Sequence, residues 1–253
     1  MNLTDKKFFD AFNREVGFEI QEWFENYDFS EANGDLGTKN AVSAVFSSNI
    51  EGNTVDLNTF MNQRLAREKF TKSKEVKEIE DLIAAYQFAQ SNTLTEDHLL
   101  AAHKILSKGF LNKARQGKYR NEASGVYNEQ GLVYLAVEPE KVVNEMKRFF
   151  EQINEFLAND FKIAEAFYSA AIAHLIFVHI HPFSDGNGRV ARLLEKWFLA
   201  GCISQDVWKL NSEKYYKEHL NEYYQNINLG VNFHELNYDE CLPFLTMLPK
   251  SLT

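Results

Sequence analysis

Residues 164–180 form the most apolar run in the chain, broken only by Glu165, Ser169, His174 and His179. Wound as a helix, such a run is apolar on every side and must be sheathed by other elements. It falls short of the roughly 20 apolar residues that a membrane span needs, so it predicts the central helix of a packed core. The rest of the chain supplies the sheath. Within 74–90, Val76, Ile79, Leu82, Ile83, Tyr86 and Ala89 fall on one helical face. Similar periodicity predicts helices over 3–15, 18–27, 38–50, 57–67, 95–107, 139–158, 163–179, 188–200, 212–227 and 239–248. Gly52 follows one of these, Thr95 with Glu96 and Asp97 opens another, and Pro139 sits in the first turn of a third. One stretch departs from the pattern. Val126 and Tyr127, a polar loop ending at Gly131, and the β-prone run 132–137 predict a hairpin. No repeat, linker-like run or charge block divides the chain, so the expected architecture is all-α with one small hairpin.

Charge bounds what such a fold can handle. Lys+Arg 27 against Asp+Glu 36 leaves a net charge of −9 over 253 residues. A protein built on phosphate-backbone contacts carries a basic excess, so no nucleic-acid partner is expected. The two cysteines, Cys202 and Cys241, make neither a disulfide scaffold nor a metal-ligand pattern. The first residues lack the apolar stretch of a signal peptide. The expectation is a cytoplasmic protein with reduced thiols and no membrane partner.

The chemistry is concentrated in His181-Pro182-Phe183-Ser184-Asp185-Gly186-Asn187-Gly188-Arg189-Val190-Ala191-Arg192. Pro182 disfavours helical geometry in the residue before it, so the apolar helix should end near His181. Phe183 reads as a plug into the core. Gly186-Asn187-Gly188 can adopt positive φ and turn consecutive amides toward one point. The helix that follows adds its N-terminal partial charge to those amides. Arg189 and Arg192, three apart, share a face of it. The product is an anion cradle flanked by two guanidiniums, suited to a polyphosphate. Asp185 at its edge is a hard oxygen ligand of the kind Mg²⁺ on a nucleotide requires. His181 can take a proton from a hydroxyl near neutral pH. Together they imply transfer of part of a nucleotide to a hydroxyl.

This segment resembles the Fic signature, His-x-Phe-x-(Asp/Glu)-Gly-Asn-Gly-Arg-x-x-Arg, and matches it at every fixed position. With each residue type at about 5%, a chance match is on the order of one in a hundred million. The resemblance implies a Fic-type helical bundle that transfers AMP from ATP, with Mg²⁺ or Mn²⁺, to a Ser, Thr or Tyr hydroxyl. The acceptor is then another protein or the chain itself. In that reading His181 is the general base and Asp185 holds the metal. Asn187 and the amides around Gly186 and Gly188 bind the α- and β-phosphates. Arg189 binds the triphosphate, Arg192 meets the γ-phosphate, and Phe183 is structural. The intact Gly-Asn-Gly-Arg run argues for AMP as the transferred group.

Two further segments take meaning from the resemblance. Ser47-Ser48-Asn49-Ile50-Glu51-Gly52 is similar to the family's inhibitory motif, (Ser/Thr)-x-x-x-Glu-(Gly/Asn). It implies that Glu51 pairs with Arg192 and occupies the guanidinium that the γ-phosphate needs, with Ser47 and Gly52 completing the motif. The domain then runs over 38–253, with an inhibitory helix at 38–52 and a helical extension at 1–37 that packs on the core or serves self-association. The hairpin, preceded by Gly117-Lys118-Tyr119-Arg120, is similar to the flap on which a target segment docks as an added strand. Tyr215-Tyr216-x-x-x-Leu220 resembles the segment that helps form the adenine pocket. His174 and His179 read as core histidines, and His98 and His103 as helix-surface or core residues. Removal of AMP from a modified protein uses the same glutamate and stays open beside transfer, as does a regulatory binding module that keeps the fold without turnover. An intact His181 argues against the last.

Overall fold

The computed structural model describes residues 2–3, 5–30, 34–65, 73–129 and 131–253. Its helices are α1 (Phe9–Phe12), α2 (Phe18–Asn26), α3 (Leu36–Ile50), α4 (Leu57–Leu65), α5 (Lys74–Gln90) and α6 (Glu96–Leu106). After the strands β1 (Gly125–Asn128) and β2 (Gly131–Leu135) come α7 (Pro139–Leu157), α8 (Ile163–Ile180) and α9 (Asn187–Cys202). The chain closes with α10 (Ser212–Glu218), α11 (Leu220–Ile227), α12 (Leu242–Leu245) and α13 (Met247–Lys250). The expected all-α fold with one hairpin is what forms. The expected end of α4 at residue 67 lies outside the described residues.

The all-round apolar run becomes α8. By length and hydropathy α8 passes as a membrane-crossing helix, yet 78% of it is buried in the protein. It runs along α9 and is ringed by α1, α2, α7, α12 and α13. Each fully buried side chain on it, such as Ile172, Leu175 and Phe177, contributes about 1.5–3 kcal/mol. The N-terminal segment shares this core. Phe12, Val16 and Ile20 are buried, Ser169 Oγ donates to the Leu3 carbonyl (3.1 Å), and Tyr168 Oη donates to the Asp5 carbonyl (2.9 Å).

Several boundaries differ from the periodicity, each for a local reason. The first two expected helices are wound into one through a π-helical turn, Asn13–Gly17. Gly17 does not break it, because its missing Cβ leaves room for the Asn13 carboxamide. α3 starts ahead of residue 38, since Asp35 caps it by accepting from the Thr38 amide at 2.7 Å. The single helix expected over 212–227 is divided at His219, whose ring stacks on Tyr215 at 4.1 Å and bonds the Tyr215 carbonyl at 2.9 Å. The expected 239–248 helix becomes a 3₁₀ turn and two short helices around Pro243 and Pro249.

A buried ion pair ties α3, α5, α9 and α10 together. Lys196 Nζ reaches Glu213 Oε2 (2.6 Å), Ser43 Oγ (2.7 Å) and the Leu210 carbonyl (2.6 Å), while Tyr86 Oη donates to Glu213 Oε1 (2.6 Å). Both charges are fully buried. Lys196→Met leaves Glu213 without its cation and is expected to lower stability by about 3–5 kcal/mol, read from urea unfolding. Lys196→Met/Glu213→Leu should recover most of that loss. A single-variant loss below about 1 kcal/mol contradicts the assignment.

Candidate active site

The site is assembled where α8 ends and α9 begins. His181 is the C-cap of α8 at φ 52°, ψ 58°, alone among the described non-glycine residues in having positive φ. Pro182 removes the helical alternative for its neighbour, but a left-handed non-glycine residue is strained by about 1–2 kcal/mol and must be held. The holding residue is Arg120. Its backbone amide donates to the Pro182 carbonyl (2.9 Å) and its Nε to the His181 carbonyl (2.8 Å). Its Nη2 donates to Val137 O (2.6 Å) and Ile180 O (3.3 Å), and its Nη1 to Glu122 O (2.9 Å). One buried guanidinium therefore fixes the turn and also anchors the segment that leaves the hairpin's return strand at Val137.

The His181 ring has a definite polarity. Nδ1 lies 3.3 Å from the Val178 carbonyl. A carbonyl only accepts, so Nδ1 carries the hydrogen and Nε2 keeps a lone pair. Packing around the ring pushes its pKa down to about 4; the Val178 bond opposes this, Arg120 adds to it, and Glu51 and Asp185 oppose it. The imidazole is neutral at physiological pH.

The loop to α9 is locked from within. Phe183 is fully buried and stacks on His103 at 3.6 Å. The Asn187 carboxamide accepts from the Phe183 amide (2.8 Å) and donates to the Phe183 carbonyl (2.8 Å). Its side chain, expected at a phosphate, thus closes the loop, with one Nδ2 hydrogen left over. His103 braces the far side. Nδ1 accepts from the Gly117 amide (3.0 Å), so Nε2 carries the hydrogen and donates to the Asp185 carbonyl (3.1 Å). Asp185 is exposed, and its Oδ1 accepts from the Gly186 amide at 2.6 Å. Gly186 has φ 83°, and the first α9 hydrogen bond runs from Val190 to Gly186 (3.0 Å). The amides of Asn187, Gly188 and Arg189 precede that bond and have no helical acceptor, so the start of α9 is an anion cradle.

A carboxylate of the chain itself occupies that cradle. Glu51 caps α3 and is followed by Gly52 at φ 92°. Its Oε1 accepts from Arg192 Nη2 at 2.7 Å and lies 2.3 Å from where a Cβ on Gly188 would stand. Its removal from bulk water favours the neutral acid. Arg192, the hydrogen bond to it, Arg189 and His181 outweigh that and hold the carboxyl below its ordinary range. Arg192 is fully buried; its Nε donates to Ser47 Oγ (2.9 Å), Nη2 to Ser47 O (3.0 Å) and Nη1 to Tyr223 Oη (3.1 Å). Lys217 Nζ on Asn49 O (2.8 Å) and Tyr224 Oη on Ile50 O (3.0 Å) secure the end of α3. The Arg189 guanidinium lies over Phe110 at 4.1 Å, and its buried Nε has no partner among the described residues. An orphaned buried donor beside an amide cradle is what an anion site leaves behind.

His181, Asp185, Gly186, Gly188, Arg189, Arg192, Ser47, Glu51 and Gly52 are therefore brought together. Tyr216 is not. It is fully buried behind Arg192 with Oη on Glu195 Oε2 (2.9 Å), so it offers no surface to a base, while Tyr215 is half-buried against His219. Tyr134 carries the hairpin's inward face, donating to His179 O at 2.6 Å. Arg120, His103, Lys217, Tyr223 and Tyr224 act across the chain, and no local motif announces these roles; Arg120 and Lys217 lie in segments the sequence singles out, but not for these bonds. Gly188→Ala puts a methyl into the cradle and displaces Glu51. It is expected to weaken binding of inorganic tripolyphosphate by at least about tenfold, also alongside Glu51→Gly, read by calorimetry. Unchanged binding in that pair would remove Gly188 from the anion path.

Residues 93–199 match the model of the Fic/DOC family. The chain is 29% identical over 211 residues to a protein adenylyltransferase Fic of Nematostella vectensis, covering 77% of this chain and 47% of that one. It is 29% identical over 196 residues to a protein adenylyltransferase Fic of Aedes aegypti, covering 73% of this chain and 36% of that one. The chain thus spans less than half the length of these curated relatives. Among solved structures, a Fic family protein from Desulfovibrio desulfuricans aligns with a TM-score of 0.75 at 24% identity, over 95% of this chain and 71% of that one. A Fic domain containing signaling protein from Bacteroides thetaiotaomicron aligns with a TM-score of 0.67 at 19% identity, over 95% and 94%. Both likenesses are of fold.

Proposed function

This chain carries a Fic/DOC-family domain in residues 93–199, and we propose that it acts as a protein adenylyltransferase held in check by its own Glu51. One observation carries the reading: a neutral imidazole with a free Nε2 stands beside an amide-and-guanidinium cradle that is filled by a carboxylate of the same chain. With Glu51 withdrawn, the cradle amides and Arg189 Nε take the α- and β-phosphates of ATP, and Arg192 takes the γ-phosphate. His181 Nε2 then accepts the proton of a Ser, Thr or Tyr hydroxyl. The hydroxyl oxygen bonds to the α-phosphorus as the bond from that phosphorus to the α,β-bridging oxygen breaks. Pyrophosphate leaves with the electron pair, and AMP stays on the acceptor.

Among the described residues no three His, Cys, Asp or Glu side chains gather as metal ligands. The donor set fits a Mg²⁺ or Mn²⁺ that arrives with the nucleotide and is held by Asp185 and the phosphates, as Mg²⁺ commonly is. Bound there, it neutralises phosphate charge. Asp185 is kept in place by its own loop bond and by His103 on its carbonyl. The site is expected in the cytoplasm, with protein acceptors and ATP as partners. Peptide mass spectrometry of a lysate treated with Glu51→Gly and ATP tests this. AMP on hydroxyl side chains is the expected adduct; phosphate adducts instead overturn the assignment of the transferred group.

A further inference from the structure

Resting on the reading that Arg192 receives the γ-phosphate, we infer that Tyr223, His174 and Glu195 form a buried relay that orients Arg192 independently of the inhibitory helix. Among the described residues, three of the four side-chain bonds of Arg192, those to Ser47 Oγ, Ser47 O and Glu51, come from α3 and its cap. The fourth, from Nη1 to Tyr223 Oη at 3.1 Å, comes from α11. Withdrawal of Glu51 leaves that bond as the hold on Arg192 that does not depend on α3.

Tyr223 is itself fixed from behind. Its Oη lies 3.0 Å from His174 Nε2, and His174 Nδ1 lies 2.8 Å from Glu195 Oε2, which also accepts from Tyr216 Oη at 2.9 Å. All four side chains are buried. The direction of the bonds follows from chemistry. A guanidinium only donates, so the Tyr223 oxygen accepts from Arg192 and its own hydrogen is left for His174 Nε2. The other ring nitrogen then donates to the Glu195 carboxylate. Every hydrogen points away from Arg192, so a buried carboxylate sets the tyrosine as an acceptor facing the guanidinium. Apolar residues of similar shape would pack this space more cheaply. Glu195 Oε1 has no partner among the described residues, yet every link from Glu195 Oε2 to Arg192 is made, and that polar chain specifies one orientation of Arg192. Tyr223, His174 and Glu195 are positioning residues.

The test uses Glu51→Gly/His181→Ala, which presents an open cradle without turnover, and measures ATP and ADP binding by calorimetry. Adding Tyr223→Phe removes one oxygen and is expected to weaken ATP by at least about tenfold while leaving ADP within about twofold. Adding Arg192→Gln is expected to abolish the preference for ATP over ADP. If Arg192→Gln leaves that preference intact, both the γ-phosphate reading and the relay fall. If Arg192→Gln abolishes it and Tyr223→Phe does not reduce it, the relay alone is overturned. Equal weakening of ATP and ADP by Tyr223→Phe makes Tyr223 a packing residue and likewise overturns the relay.

Discussion

Replacing Glu51 by glycine is expected to raise AMP transfer by at least about tenfold. The carboxylate meets Arg192 at 2.7 Å with its side chain 28% exposed. Unit charges 4 Å apart attract by about 4 kcal/mol at an effective dielectric near 20, before desolvation is subtracted. Partial exposure reduces the net further. Even about 1.4 kcal/mol of net competition lowers productive ATP binding tenfold. The gain should appear chiefly as tighter ATP binding, because Glu51 withholds a phosphate site and takes no proton in the transfer. An unchanged rate and an unchanged ATP affinity in Glu51→Gly would contradict the restraint.

His181→Ala, placed in Glu51→Gly, is expected to reduce transfer by about a thousandfold, within the usual range for loss of a general base. ATP binding should be retained, since the ring makes no bond to the cradle. The pH dependence follows from the imidazole's surroundings. A histidine titrating at its ordinary value gives a rate that climbs through about pH 6.5. Here the neutral form persists down to about 4. Removing Glu51, whose charge favours the imidazolium, moves that point lower still. The kcat/KM of Glu51→Gly should therefore be level across neutral and mildly acidic pH. The same shift gives a sign for stability: the unfolded chain takes up the His181 proton first, so folding weakens as pH falls below the ordinary histidine range. A rate limb near 6.5, or a His181→Ala variant keeping a tenth of the activity, removes the ring from the proton transfer.

What the sequence made legible was local. Residues 164–180 declared a core helix because no face of it is polar, and Pro182 declared its end. Gly186 to Gly188 declared a cradle, although Gly186 alone of the three takes positive φ, and Gly188 serves by leaving room for the Glu51 carboxylate. Glu51 was found through its motif, not through any energetics that could be read at a separation of 141 residues from Arg192. The partners that hold these residues were out of reach. Arg120 freezes the His181 turn from 61 residues away, and Val137, just past the hairpin's return strand, shares the same guanidinium. Nothing in the neighbourhood of either residue predicts that bond. Asn187 shows a related limit of local reading: a carboxamide in a phosphate loop can serve ligand or loop, and the 2.8 Å bonds to Phe183 show the loop role that the sequence does not announce. Tyr216, an aromatic at helical spacing, is likewise found buried with its hydroxyl on Glu195.

The most direct measurement is label transfer from ATP carrying the isotope at either the α- or the γ-phosphate, by wild type, Glu51→Gly and His181→Ala, with lysate proteins as acceptors. Protein label from the α-position alone, strong in Glu51→Gly, weak in wild type and absent in His181→Ala, is the expected result. Label from the γ-position, or equal α-label in all three proteins, contradicts a His181-dependent AMP transfer restrained by Glu51.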